Sequence, residues 1–380
     1  MVESSLIPGR ATFKGTARFA SRFRDLPGHF RQPDDLKLSS IGLGLRGGEP
    51  GGVDDFSYRE AIQAALERGV NVFDTALADR MQSSERVLGA VLARAIAEGR
   101  IQRDEIAVIS KAGFLAVDAD FGSNPREARD YLQRTYVETG LIEPGQLAAG
   151  RHCMSPAFLL DQIERSRSNL GLGTIDFYLL QEPELHLQGG GPDAFRERLV
   201  PAIDALEAAA RKGSIGSYGF STWGGLLLPQ SEAGHLSLVE LFELALERGG
   251  GDHHMRALQF PYSVAMADAL GRTSQFGPDL RAAAVLDLLG QTGTAVFAIS
   301  PLYRGQVIGR VPGYVREFMG DLQSDAQRAI QFARSAPAIA TALVGMRSTE
   351  HVEENMQLAQ HVPLAPEVSK QLLARARDLG

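Results

Sequence analysis

Three apolar runs in this chain end in polar residues whose types could do proton chemistry together. Asp74 closes VNVF, Lys111 closes IAVIS and Gln181 closes DFYLL. Each run has the length of a β-strand, and a lysine at such an end must reach water or find an acid. Asp74 is the obvious partner. A salt bridge of purely structural use is the ordinary reading of that pair. Asp79 follows Asp74 within GVNVFDTALADRMQSSERVLG and brings a second carboxyl near the same strand end. An ammonium between two carboxyls could serve general acid–base work, with the Gln181 amide as a hydrogen-bond donor.

The elements that must position these residues repeat along the chain. Short apolar strands are expected over 40–45, 70–74, 106–111, 175–181, 215–220, 257–260, 295–300 and 342–344. Amphipathic helices are expected between them, over 58–68, 84–98, 155–170, 194–212, 236–247, 280–289, 321–335 and 350–359. Eight strand–helix repeats predict a parallel closed sheet wrapped by helices, a (β/α)8 barrel. The catalytic residues of such barrels sit where strands end. GLGLRGG has glycines without the spacing of a dinucleotide fingerprint and reads as a turn. A last helix over 366–379 is expected on the outside. Residues 36–380 then form one barrel domain, with long loops at 112–154 and 261–278 that should lie over the mouth as lids or binding segments. Residues 1–35 form an extension, in which ATFKGTARFASRF alternates well enough for a hairpin closing the barrel bottom.

Composition bounds the function. With 380 residues, 44% hydrophobic and 22% charged, the chain is an ordinary globular protein. A net charge of −7 gives no reason to expect nucleic acid or an anionic membrane as partner. No apolar run is long enough to span a bilayer. The single cysteine, Cys153, excludes an internal disulfide framework and fits a reducing, cytoplasmic compartment. Six Lys or Arg in the first 35 residues leave a transit peptide as a lesser alternative. A small-molecule substrate is the expected partner; oligomeric state is not legible.

The stretch from Asp74 to Gly89 resembles the aldo-keto reductases, whose second strand ends D-T-A-x-x-Y and runs into S-E-x-x-L-G. Asp74 and Lys111 match the family's Asp and Lys; Asp79 stands at its tyrosine and Gln181, in DFYLLQEPE, at its histidine. Later segments resemble the family's cofactor elements in the correct order. GFSTW offers Ser221 and Thr222, and ALQFPYS offers Gln259, for a nicotinamide amide. ISPLYRG offers Ser300, Leu302, Arg304 and Gly305 for the pyrophosphate. LVGMRSTEHVEEN offers Gly345, with Arg347 for a 2′-phosphate and Glu354 and Asn355 for adenine. The resemblance, which runs from Leu38 to Ala359, implies a barrel of the aldo-keto reductase type that binds NADP(H), with NAD(H) as the alternative. Ile299 stands where the family usually stacks an aromatic residue on the nicotinamide.

In the family the tyrosine is the general acid and the lysine lowers its pKa. An aspartate beside an ammonium is expected to be ionised at neutral pH, with no proton to give. Three readings stay open on these residues. One is an NADP(H)-dependent oxidoreductase acting on a small carbonyl or alcohol, in which Lys111, His152, His186 or water replaces the acid. Another is a dehydratase, isomerase, lyase or cyclase using Asp79 or Asp74 as base with Lys111. The last is a catalytically silent nucleotide-binding protein. His253 and His254, beside Asp252, precede a strand and fall at the barrel bottom without a third ligand, so no metal is expected. Tyr218, Trp223 and Tyr303 are candidates for the pocket wall.

Overall fold

The computed structural model describes residues 6–121 and 124–378. Eight parallel strands close into a barrel: β1 (Ile41–Gly44), β2 (Val72–Asp74), β3 (Ala107–Ala112), β4 (Ile175–Gln181), β5 (Ile215–Ser221), β6 (Met255–Pro261), β7 (Ala295–Ile299) and β8 (Ile339–Gly345). Their order around the barrel is β7-β8-β1-β2-β3-β4-β5-β6, so the chain winds once and β8 closes on β1. This is the expected (β/α)8 fold. The strands fall within a few residues of the expected ones, because each is an apolar run cut off by a polar or glycine-rich turn.

The period of two along each strand sets where chemistry can sit. Val72, Ala107 and Ile109, Phe177 and Leu179, Ala257, Ala295 and Phe297, and Leu343 face inward and pack as one apolar cluster. The next inward positions on those strands are Asp74, Lys111, Gln181, Gln259, Ile299 and Gly345. Register keeps these ends level. Gly345 pairs with Gly44 and Gly44 with Asp74, while Gln181 pairs with Ser221 and Ser221 with Gln259. Gly219 permits the close approach of β5 and β6, since a Cβ there would lie 1.7 Å from the Ala257 carbonyl oxygen.

Helices cover the outside. The N-terminal half carries α1 (Phe13–Ala20), α2 (Gly52–Glu67), α3 (Ser83–Ala97), α4 (Pro125–Leu132), α5 (Pro156–Leu170) and α6 (Glu184–Lys212). The rest carries α7 (Leu238–Gly249), α8 (Asp268–Gly271), α9 (Val285–Leu289), α10 (Gly313–Phe318), α11 (Asp325–Ser335), α12 (Thr349–Met356) and α13 (Pro366–Asp378). The larger apolar core lies between these helices and the outer faces of the strands. Among the described residues no helix is long and apolar enough to cross a membrane.

Four expectations need correction. The segment read as a hairpin is helix α1, capped by Thr12 and held by Arg18 and Arg22 against Asp104 and Glu105. Arg18 lies in the last turn of that helix and Arg22 in the 3-10 turn Ser21–Phe23 that follows, so a helical path brings both to the same acids and outweighs the weak alternation. A short antiparallel pair forms later, between Phe30–Arg31 and Leu38–Ser39, and Leu36 and Leu38 join Ala11 in filling the barrel base. Helix α6 has a first segment that was not expected: Gly191 (φ 76°) is a non-helical kink, with residues 184–190 before it and the expected 194–212 helix after it. Helix α9 begins later than expected, since Gln275–Phe276 pairs with Ala282–Ala283 and puts Leu280 in the turn between them at φ 61°.

The fourth correction concerns the long loops. Neither 112–154 nor 261–278 contributes a described residue to the wall of the cavity at the barrel mouth. The first folds down over the helices. Arg86 of α3 binds Asp118, and Tyr136 donates to the Ala116 carbonyl at 2.9 Å and packs on Phe158 of α5. The second is pinned beside α7, where the Gln275 amide donates to the carbonyls of Leu226 and Leu236 and accepts from Leu238 N. Both loops bury side chains against helices, a gain that sequence length alone does not reveal.

Candidate active site at the barrel mouth

The C-terminal ends of the strands surround a cavity of about 760 Å³, within the size range of small-molecule sites. Asp74, Asp79, Lys111 and Gln181 line one end with Arg46, Glu182 and Trp223. Ser221, Thr222 and Gln259 line its middle with Ile299. Ser300, Leu302, Arg304, Gly305, Gly345, Glu354 and Asn355 line the other end, with Ile308, Ser324, Asp325 and His351. Fourteen of the fifteen candidate residues therefore share one trough. Arg347 does not: it lies half exposed at the rim and pairs with Asp54 at 3.2 Å.

The polar centre is a connected network. Lys111 Nζ donates to Asp74 Oδ1 at 2.6 Å and to the Thr75 carbonyl at 2.8 Å. Gln259 Nε2 donates to the same Asp74 oxygen at 2.9 Å, and Ser221 Oγ donates to Gln259 Oε1 at 2.7 Å. The strand-end ion pair and two residues expected at a nicotinamide amide are thus one hydrogen-bonded unit, fixed by the level register of β2, β3, β5 and β6.

Asp79 departs from the expected electrostatics. It follows Thr75–Ala78, where Asp79 N donates to the Ala76 carbonyl at 2.9 Å, and its carboxyl is buried with the Arg46 guanidinium 4.0 Å away. Burial raises its pKa to about 6; Lys111 and Arg46 pull the other way without overcoming it, and Asp74 adds to the rise. An expectation built on a neighbouring ammonium alone had the sign wrong, because it left out the loss of water around the carboxylate. The group therefore holds its proton closer to neutrality than an ordinary carboxyl and can both give and take one there.

The two histidines weighed as substitute acids are placed elsewhere. His152 Nε2 lies 2.5 Å from the Gln181 carbonyl oxygen, His152 Nδ1 lies 3.0 Å from His186 Nε2, and Arg198 lies 2.9 Å from His186 Nδ1. Burial lowers His152 to about 4 and His186 to about 3, so both are neutral at pH 7. A carbonyl can only accept, so the donors run in one direction, from Arg198 to His186 to His152 to the main chain of Gln181. That chain braces the end of β4 from behind and lines no part of the cavity. Gly113 makes room for it, since a Cβ there would lie 2.3 Å from His152 Nε2.

Of the aromatic candidates Trp223 lines the cavity, whereas Tyr218 is fully buried in the outer core and Tyr303 lies outside the lining. Glu184 orders the Trp223 loop, its Oε1 accepting from the backbone N–H of Trp223 at 2.9 Å and of Gly225 at 3.3 Å. Sequence reasoning missed Arg46 and Glu182. Arg46 sits in the glycine-flanked turn after β1 and Glu182 directly after Gln181, so strand-end position was the available signal. His253 and His254 line a separate cavity of about 390 Å³ at the barrel base. Among the described residues no group of three or more His, Cys, Asp or Glu is arranged to hold a metal ion.

Two polar atoms in the trough are buried without a protein partner, Thr222 Oγ1 in its middle and Asn355 Oδ1 at its far end. Orphaned oxygens of this kind, in residues that line the cavity, fit a site that takes a polar ligand.

The chain is thus a parallel barrel with a cavity at the C-terminal ends of its strands. Residues 40–226, just under half of the chain, match the aldo/keto reductase family model. Solved structures similar to this chain share the barrel. An aldo-keto reductase of Bacillus halodurans in its holo form is 21% identical, with a TM-score of 0.60 over 91% of this chain and 95% of that one. The glycerol dehydrogenase of Gluconobacter oxydans is 18% identical, with a TM-score of 0.62 over 92% and 95%. An aldo/keto reductase of Klebsiella pneumoniae in complex with NADP and acetate is 19% identical, with a TM-score of 0.58 over 91% and 94%. No curated protein matches the chain by sequence.

Proposed function

We propose that the protein is an NADP(H)-dependent oxidoreductase that interconverts a small carbonyl compound and its alcohol, with the carboxyl of Asp79 as the proton-transfer group. One observation carries this reading: Asp79, raised to about 6, lines the same trough as the Lys111–Asp74 pair and the unpaired Thr222 and Asn355 oxygens. A Klebsiella pneumoniae structure of the same fold is a complex with NADP, which supports the choice of dinucleotide.

The residues present fit such a group. Ser221, Thr222 and Gln259 would hold the nicotinamide amide, and Ser300, Arg304 and Gly305 the pyrophosphate. Glu354 and Asn355 would hold the adenine. Arg347 would leave Asp54 to meet a 2′-phosphate; its half-exposed ion pair costs little to break. When bound, the reduced nicotinamide supplies hydride to the carbonyl carbon. Asp79 gives its proton to the carbonyl oxygen, completing the alcohol, and takes one back in the reverse direction. The Gln181 amide donates to the same oxygen. Lys111, anchored on Asp74, keeps positive charge beside the carboxylate that Asp79 leaves behind.

NADPH and NAD+ titrations by fluorescence quenching, followed by stopped-flow mixing with aldehydes and ketones, test this. The expected results are NADPH binding, and a kcat/KM for reduction that falls as pH rises through about 6, since the protonated carboxyl is required. Asp79→Asn should lower it by about 10²–10⁴ and flatten the profile. Binding of neither nucleotide overturns the proposal. So does NADPH that stays unoxidised until Asp79→Tyr and Gln181→His are introduced together, which would place the native reaction outside carbonyl reduction.

A further inference from the structure

The turn that presents Asp79 is strained, and one buried side chain holds it. Arg80, Met81 and Gln82 follow Asp79 with φ of 48°, 51° and 73°. Three successive residues with side chains in the left-handed region cost energy at each step, so surrounding structure must fix them. The Arg80 side chain is fully buried. Its Nε and Nη2 donate to the Glu49 carbonyl at 3.0 and 2.5 Å, Nη2 also pairs with Asp55, and the guanidinium lies 4.9 Å from the centre of the Tyr58 ring. At the other end of the turn, Gln82 accepts from Asn169 at 3.1 Å.

Glu49 lies in the loop after β1, Asp55 and Tyr58 lie on α2, and Tyr58 donates to the Gly47 carbonyl at 2.9 Å. That loop also carries Arg46, the cation beside Asp79. A single guanidinium therefore ties the turn after β2 to the loop after β1, at the two places that frame the Asp79 carboxyl.

We infer that Arg80 is the positioning residue for Asp79: its guanidinium, fixed on Glu49, Asp55 and Tyr58, locks the left-handed turn that keeps the Asp79 carboxyl buried in the cavity. The catalytic consequence rests on the proton-transfer reading of Asp79; the positional claim does not. Ionisable groups facing Asp79 are Lys111 and Asp74 on the strands, Arg46 on the loop, Tyr58 on α2 and Glu85 on α3. Substituting Arg80 removes none of these groups; it takes a cation from beside Tyr58, which lies behind the turn.

The test is a carboxyl ¹³C NMR titration of the full chain labelled at aspartate, with Asp79→Asn assigning the resonance. Arg80→Gly tolerates the left-handed backbone but releases the clamp. Its Asp79 midpoint should fall by about one pH unit, toward an ordinary carboxyl, as water reaches the group. Removing a cation by charge alone moves a carboxyl upward, so a fall reads position. Arg80→Lys should recover about half of the change. A folded Arg80→Gly protein with an unmoved or raised midpoint overturns the inference. Should that variant not fold, Arg80→Lys keeps the charge while loosening the fork and must by itself lower the midpoint by about half a pH unit; no movement there overturns it equally. A lowered midpoint with an unchanged pH profile of activity would leave the positioning intact and remove Asp79 from proton transfer.

Discussion

The barrel has a buried aspartate–cation pair at each end, and the two are built differently. At the base, Asp176 of β4 accepts from Ala11 N at 2.6 Å, from Val108 N at 2.8 Å and from Arg103 at 2.7 Å. Both of its oxygens are used, and its partners come from the N-terminal segment, the approach to β3 and β3 itself. At the mouth, Asp74 takes Lys111 and Gln259 on one oxygen, and a second carboxyl, Asp79, stands nearby without an ion pair of comparable closeness. A closed set of partners stitches strands and chain terminus together. An open set beside a cavity keeps a titratable group within reach of a ligand. Burial alone does not separate the two pairs; the unfilled partnership does.

Breaking the base should give the largest effect, and on stability alone. Asp176→Ala leaves Arg103 buried without its acid and two backbone N–H groups unpaired, a cost of about 3–5 kcal/mol. Urea unfolding should show it, with kcat of the folded fraction unchanged; a tenfold loss of kcat would dissolve the contrast. Breaking the mouth comes next. Lys111→Met should lower carbonyl reduction by about 10²-fold or more with a smaller stability loss than the base variant. Equal stability losses and intact activity would make the two pairs equivalent.

The smallest effect sharpens the comparison through pH. Asp79 titrates near 6 in the fold against 3.8 as a model carboxyl, so the native state binds its proton more tightly than the unfolded chain. Its stabilising contribution is complete below about 3.8 and is lost as pH rises through about 6. Asp79→Asn should therefore be more stable than the native protein at pH 7–8, by about 2 kcal/mol, and no more stable at pH 4. Thermal unfolding across that range checks the sign. A native-like curve at every pH would mean that the mouth carboxyl is as well satisfied as the one at the base.

The sequence by itself determined the barrel and most of the residues that line the cavity at its mouth. Eight apolar runs with polar ends specify parallel strands, and the alternation that buries Ile109 or Leu179 inside the barrel makes Lys111 and Gln181 the next inward residues. Motif order did the rest for Ser221, Gln259, Ser300 and Asn355. Tertiary structure decided what depends on neighbours distant in the chain. How firmly Asp79 keeps its proton turns on desolvation, which a pairwise view of Asp79 and Lys111 left out. His152 and His186 looked like spare acids, and only packing behind β4 shows them as a neutral brace. Loops read as lids proved to be docked on helices, because side chains such as Tyr136 and Gln275 find partners there. Local sequence sets period and type; the dielectric surroundings of a carboxyl and the resting place of a loop are properties of the assembled molecule.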